Sequence, residues 1–320
     1  MKQEKDMTPG AETRVVPVRQ WRIHVGAHKT ATTHLQETLT LVRDGLARRG
    51  VDFIPNPLVR ETGLARRLWE RRPLARLPFV GPAHMRDAIG ATVEPLRIGP
   101  EVVVLSEENV IGRPEQIFAE PFYPQVAQTI GRLASLAGRA ELVLFLSIRG
   151  YDSFLPSAYA EHLKHSAPPP GGFEGMRARL VARPPSWHDL VRRIRAAAPA
   201  ASLRIWRQED YRANDAAIME AVCGCPLPPL PEISDPNWTR SPSASAIAAA
   251  ERIPPGLPHP ERLARVRDIY LASDPGSDRF RPFSPAERQS LRAAYEADLE
   301  RIARDHPDAI MTFGKRELAA

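Results

Sequence analysis

Cysteine is nearly missing from this chain: Cys223 and Cys225 are the only two in 320 residues. The single residue between them fits neither a C-x-x-C redox pair nor a paired zinc knuckle, and a disulfide across it would be strained. The pair is expected to stay reduced in a cytoplasmic protein, with no metal site. Long apolar runs are missing too. No stretch of 18 apolar residues occurs, so no membrane span is expected. The first twenty residues lack the apolar core of a secretory signal. Aromatic residues are only 7% and no basic stripe interleaves with them, which argues against nucleic acid as a partner. Lysine is scarce: five residues against 39 arginines. Codon bias alone would leave such a pattern, yet it makes the internal lysines, Lys29 and Lys164, worth inspection.

What remains is ordinary for a globular protein. Hydrophobic residues are 43% and charged residues 26%, enough for a core of normal size. The 19 glycines and 33 prolines stay below the share that marks low complexity. A net charge of +6 suits an anionic ligand.

Residues 1–19 read as a flexible tail, and 20–320 as one domain. Short β-type runs at 21–25 and 51–55 and continuous apolar runs at 101–106 (EVVVLS) and 141–148 (ELVLFLSI) predict strands. Another strand is expected at 202–206. Helical spacing predicts helices over 32–49, 123–137, 153–165, 187–198 and 211–222. The Arg-rich stretch 60–98, broken by Pro73, Pro78 and Pro82, reads as helices with loops. Strands alternating with helices over about 21–222 predict an α/β fold: a three-layer parallel sheet with helices on both faces. From 223 to 320 the strand signals stop. A Pro-rich loop at 226–242 and helices at 243–252, 260–271 and 285–306 are expected there, covering a sheet edge or forming a lid.

The segment 21–35, WRIHVGAHKTATTHL, carries the clearest chemistry. A strand runs into a glycine, then small and hydroxylated residues, then a helix. Backbone N–H groups at a helix start face an anion, and the helix dipole favours its charge. Lys29 adds a point charge, and Thr30, Thr32 and Thr33 add hydroxyls. The nucleotide-hydrolase loop G-x-x-x-x-G-K-[ST] is not matched, because no second glycine precedes Lys29. The plain alternative is a Thr-capped helix with a solvated lysine.

Residues 26–36, GAHKTATTHLQ, resemble the 5′-phosphosulfate loop (K-T-G-T-T-x-L) of P-loop-type sulfotransferases that use 3′-phosphoadenosine 5′-phosphosulfate (PAPS). Ala31 stands where the family has Gly, and His28 where many members have Pro. In the family a later strand is followed by an Arg and, eight residues on, a Ser that hold the 3′-phosphate. Here 141–148 leads into Arg149, and Ser157 follows at that spacing.

The resemblance implies a cytoplasmic PAPS-dependent sulfotransferase of the bacterial kind. Gly26, Ala27, Lys29, Thr30, Ala31, Thr32, Thr33, Arg149 and Ser157 would bind the cofactor. Ser106-Glu107-Glu108 stands where bacterial relatives have S-S-E, which makes Glu108 the expected general base. Lys29 is the expected catalytic cation, and His28 is placed to meet the sulfonate or the substrate. His24, inside its strand, is expected to be structural. Glu209 is expected to brace loops. The acceptor would be a saccharide or other small molecule carrying a hydroxyl or amine, met by the Arg-rich stretch and the C-terminal helices. Two alternatives stay open: a nucleotide-dependent P-loop kinase, and a binding module that kept the nucleotide loop without transfer chemistry.

Overall fold

The computed structural model describes residues 17–69, 82–230, 241–274 and 278–313. The expected tail lies outside the described residues as far as position 16, and so do positions 231–240 of the Pro-rich loop. Strands β1 (Gln20–His24), β2 (Val51–Ile54), β3 (Val102–Ser106), β4 (Glu141–Ile148) and β5 (Ser202–Arg207) form one parallel sheet in the order β2-β3-β1-β4-β5. Helices α1 (Thr32–Leu41) and α2 (Arg43–Ala47) join β1 to β2. Then come α3 (Asn56–Glu61), α4 (Leu64–Trp69) and α5 (Pro82–Val93), with α6 (Val126–Ala137) between β3 and β4. Helices α7 (Tyr151–His165), α8 (Gly172–Ala182) and α9 (Trp187–Ala197) precede β5. The chain continues through α10 (Gln208–Cys223), α11 (Ala244–Glu251), α12 (His259–Leu271) and α13 (Pro285–Asp305).

The sheet is apolar on both faces, which is why its strands read as continuous runs. Alternate residues divide between two cores. Ile23, Leu105, Leu144 and Ile205 face one side, with Leu133 of α6, Phe154 of α7 and Trp187 of α9. Phe53, Val104, Phe145 and Trp206 face the other, with Leu35 of α1, Leu46 of α2 and Met219 of α10. This is the expected three-layer arrangement.

The single helix expected over 32–49 divides at Val42, whose φ of −103° and ψ of 13° leave the helical region. Both Val42 and Leu46 then reach the core. Helix α8 was not foreseen. Phe173, Met176 and Leu180 recur at helical spacing and are buried, but Gly172 and Gly175 beside a run of prolines disguise the pattern.

The C-terminal helices share the first core through Ile247, Val266, Leu291 and Ile302. The buried Asp298 of α13 accepts hydrogen bonds from the Tyr151 hydroxyl and, at 2.8 Å, from the Trp187 backbone N–H. It so joins α7, α9 and α13. Residues 309–311 lie parallel to β5: Ile205 N–H donates to Ala309 O at 2.7 Å, and Met311 N–H donates to Ile205 O at 2.8 Å. The tail of the helical part therefore covers the β5 edge.

Strand β1 lies centrally, between β3 and β4. The chain leaves it towards β2 on one side, while β4 lies on the other. Such a switch of direction opens a crevice at the carboxyl ends of the strands.

Candidate functional site

Four loops meet at that crevice, after β1, β3, β4 and β5. The β1 loop is first held to the sheet: Ala27 N–H donates to Ser147 O at 3.1 Å, and Ser147 N–H to Gly26 O at 2.9 Å. Gly26 has φ +86°, and a Cβ there would lie 2.6 Å from the Cβ of Glu108. Only glycine permits this approach of the two loops.

Beyond Gly26 the loop turns twice through the left-handed region, at Lys29 (φ 62°) and Ala31 (φ 67°). A Cβ costs free energy in that region, so glycine would sit at position 31 with less strain. Ala31 is also the N-cap of α1, and no side chain caps that end. Thr30 Oγ1 donates inward to Ala27 O at 2.6 Å and pairs with Ser147 Oγ, and Thr32 Oγ1 donates to the same carbonyl at 3.4 Å. The Thr-capped helix of the plain alternative is thus absent. Among the described residues, the backbone N–H groups of Lys29, Ala31, Thr32 and Thr33 have no protein acceptor. Those groups can receive an anion. The hydroxyls of Thr30 and Thr32 face the sheet instead.

Arg149 joins this loop to the next. Its Nη1 donates to Lys29 O at 2.9 Å and its Nε to Ser153 Oγ at 2.9 Å, while Trp187 Nε1 donates to its carbonyl at 2.9 Å. Among the described residues its Nη2 has no protein partner. Ser157 follows one turn after Ser153 on α7. Arg149, Ser153 and Ser157 together line a cleft of about 1310 Å³ that Arg279, Arg281 and Arg288 also line. Burial lowers the Arg149 pKa from its usual value, against the pull of Glu209 and Asp152. Glu209 braces the loop, accepting from Gly150 N–H at 2.8 Å and from the Tyr295 hydroxyl at 3.2 Å.

The β3 loop supplies the carboxylates. Glu107 points away from the crevice: its Oε2 accepts from Asn56 Nδ2 at 2.7 Å and from Arg60 Nε at 3.0 Å. Glu108 takes Arg60 Nη2 at 2.8 Å and Gln36 Nε2 at 3.0 Å. Burial pushes the Glu108 carboxyl upward, but Arg60, with His28 and Gln36 behind it, outweighs burial and holds it below its ordinary value. It is ionised at neutral pH.

His28 is buried, with both ring nitrogens engaged. The Tyr123 hydroxyl lies 2.8 Å from Nδ1, and Nε2 lies 3.3 Å from Asn109 Oδ1. Asn109 Nδ2 in turn donates to Glu107 Oε1. Asn109 Oδ1 therefore faces Nε2 as an acceptor for its proton, and burial lowers the His28 pKa. His28 positions the loop. His24 stacks on Trp206 and bonds Ser106 Oγ at 2.9 Å, and burial lowers its pKa to about 4.

Lys29 Nζ lies 3.5 Å from Glu161 Oε2, with 31% of its side chain exposed. Burial lowers its pKa, and Glu161 opposes that shift. The sequence did not single out Glu161, Arg60 or Ser153. Glu161 could have been found by helical spacing, since 153, 157 and 161 share one face of α7. Arg60 carried no local signal. Among the described residues no three His, Cys, Asp or Glu side chains gather to hold a metal ion, and no helix is long and apolar enough to cross a membrane.

No protein-family model matches the sequence, and no curated protein matches it. The chain is similar to the crystal structure of a sulfotransferase from Alicyclobacillus acidocaldarius, at 13% identity and a TM-score of 0.46, over 91% of this chain and 96% of that one. A likeness at that score assigns no residue; the site stands on its own geometry.

Proposed function

We propose that this protein is a PAPS-dependent sulfotransferase acting on a hydroxyl or amine of a saccharide or other small molecule. The observation that carries this reading is the linkage at Arg149. Arg149 bonds the Lys29 carbonyl of the first anion-receiving loop through Nη1, and the same residue lines the cleft with Ser157. Two places for anions therefore adjoin without coinciding. A 5′-nucleoside triphosphate carries all its charge along one arm. A ligand with both a 5′-phosphosulfate and a 3′-phosphate matches two separate places. The unused N–H groups of the loop fit the first group, and Arg149 with Ser157 fits the second.

PAPS, when bound, supplies the sulfuryl group. The N–H groups of Ala31, Thr32 and Thr33, with Lys29, stabilise negative charge gathering at the loop. Arg149 selects the 3′-phosphate by charge and by its planar fork. Glu108, kept ionised by Arg60, accepts the proton of the acceptor hydroxyl. Gln36 and Arg60 fix its orientation.

Calorimetric titration with 3′-phosphoadenosine 5′-phosphate (PAP), AMP and ATP, with and without Mg²⁺, tests this reading. PAP should bind without metal and more tightly than AMP. In Arg149→Ala, PAP should weaken by about 10- to 100-fold while AMP is little changed. Preference for ATP with Mg²⁺ would favour a kinase. PAP binding with no transfer from PAPS to any acceptor would favour a binding module.

A further inference from the structure

Both internal lysines of this lysine-poor chain meet at one carboxylate. Glu161 Oε2 receives Lys164 Nζ at 2.9 Å and Lys29 Nζ at 3.5 Å. Glu161 Oε1 lies 3.3 Å from His165 Nε2, and His165 Nδ1 meets His259 Nε2 at 3.1 Å. Only 19% of the Glu161 side chain is exposed. Lys29 reaches it from a left-handed backbone position whose carbonyl Arg149 holds. Lys164 reaches it from the next turn of the same helix.

We propose that Glu161 is the resting counter-ion that competes with a ligand for Lys29, and that Lys164 is the cation that allows Lys29 to leave it when an anionic group enters the loop. This rests on reading the loop as the 5′-phosphosulfate site. Charge balance explains the second lysine. Without Lys164, only the His165 ring at 3.3 Å would stay with Glu161 whenever Lys29 turned to a ligand, and a buried carboxylate without a fixed cation is disfavoured. With Lys164 in contact, Glu161 keeps a counter-ion throughout, and only Lys29 changes partner. Before the ligand arrives, Glu161 holds the ammonium at the loop.

The 5′-phosphate contact can be isolated with two ligands that differ only by that group, PAP and 3′-AMP. Calorimetry gives the ratio of their affinities. Lys164→Met should lower this ratio about tenfold, because Lys29 stays on Glu161. Adding Glu161→Gln to that variant should restore the ratio, and Lys164→Arg should preserve it. Glu161→Gln alone should raise the ratio, by removing the competitor for Lys29. Circular dichroism checks that each variant is folded. If Lys164→Met does not fold, the Glu161→Gln measurement decides. An unchanged ratio in folded Lys164→Met, no recovery in the double variant, or a fall in Glu161→Gln would overturn the proposal and leave the nucleotide site standing. A wild-type chain with no preference for PAP over 3′-AMP would remove the loop reading, and this proposal with it.

Discussion

The loops after β1 and β3 lie against each other at the carboxyl ends of the strands, close enough that Gly26 admits no Cβ beside Glu108. They treat their polar groups in opposite ways. The β3 loop pairs its acceptors: Glu107 and Glu108 are bonded to Asn56, Arg60 and Gln36. The β1 loop holds a strained backbone and leaves its N–H donors from Lys29 to His34 without protein acceptors among the described residues. Buried polar groups are normally matched by the protein itself. The unmatched loop is the one built to meet something else, and the matched loop is the frame that fixes it.

If that contrast is right, removing the cation of the unmatched loop has the largest effect. Lys29→Ala should slow PAP release from PAPS at least about 100-fold, with an unchanged far-ultraviolet spectrum. A near-normal rate would remove Lys29 from the chemistry. Gly26→Ala tests the contact between the loops. Its backbone conformation and the 2.6 Å approach to Glu108 both resist a Cβ, so urea unfolding should show a loss of about 2–4 kcal/mol.

Arg60→Gln tests the frame. The Glu108 pKa should then rise, since Arg60 is the largest of the influences that oppose burial there. The acid limb of the pH–rate profile should move to higher pH, while the rate at high pH changes little. A limb that does not move would mean that Glu108 is not the base. Stability follows the same sign. The part owed to ionised Glu108 is present above the ordinary carboxyl value of 4.5 and is lost as pH falls through the lowered one. The smallest effect is expected from Ala31→Gly, which relieves the left-handed alanine. Thermal unfolding should show a gain of about 0.5–1 kcal/mol. A loss would mean that the packing of the Ala31 methyl against the core outweighs its strain.

The layers were legible in the sequence because β3 and β4 are buried on both faces and read as unbroken apolar runs. The anion loop was legible because strand, glycine, lysine and threonines are contiguous. Arg149 and Ser157 were singled out only because a serine eight residues after the arginine that follows a strand resembles a family motif. What could not be read comes from folding distant segments together. Arg60 looks like any arginine on a basic helix until α3 brings it to Glu108, 48 residues on. His28 looks like a reactive residue until Tyr123 and Asn109 take both its nitrogens. The threonine hydroxyls read as ligands for an anion, but the carbonyl of Ala27 receives two of them. Spacing shows which residues are near in the chain; it does not show which hydrogen bonds are already made.

The short clasp of residues 309–311 on β5 bears on how copies of this chain behave when crowded. An open strand edge is a template on which a second molecule can lay its own backbone. Here the chain occupies its own β5 edge, and the opposite edge, β2, is four residues long and buried throughout. Among the described residues, neither edge strand is left open along its length. Encounters between molecules are then governed by their surfaces, where a net charge of +6 keeps like chains apart and draws in anions.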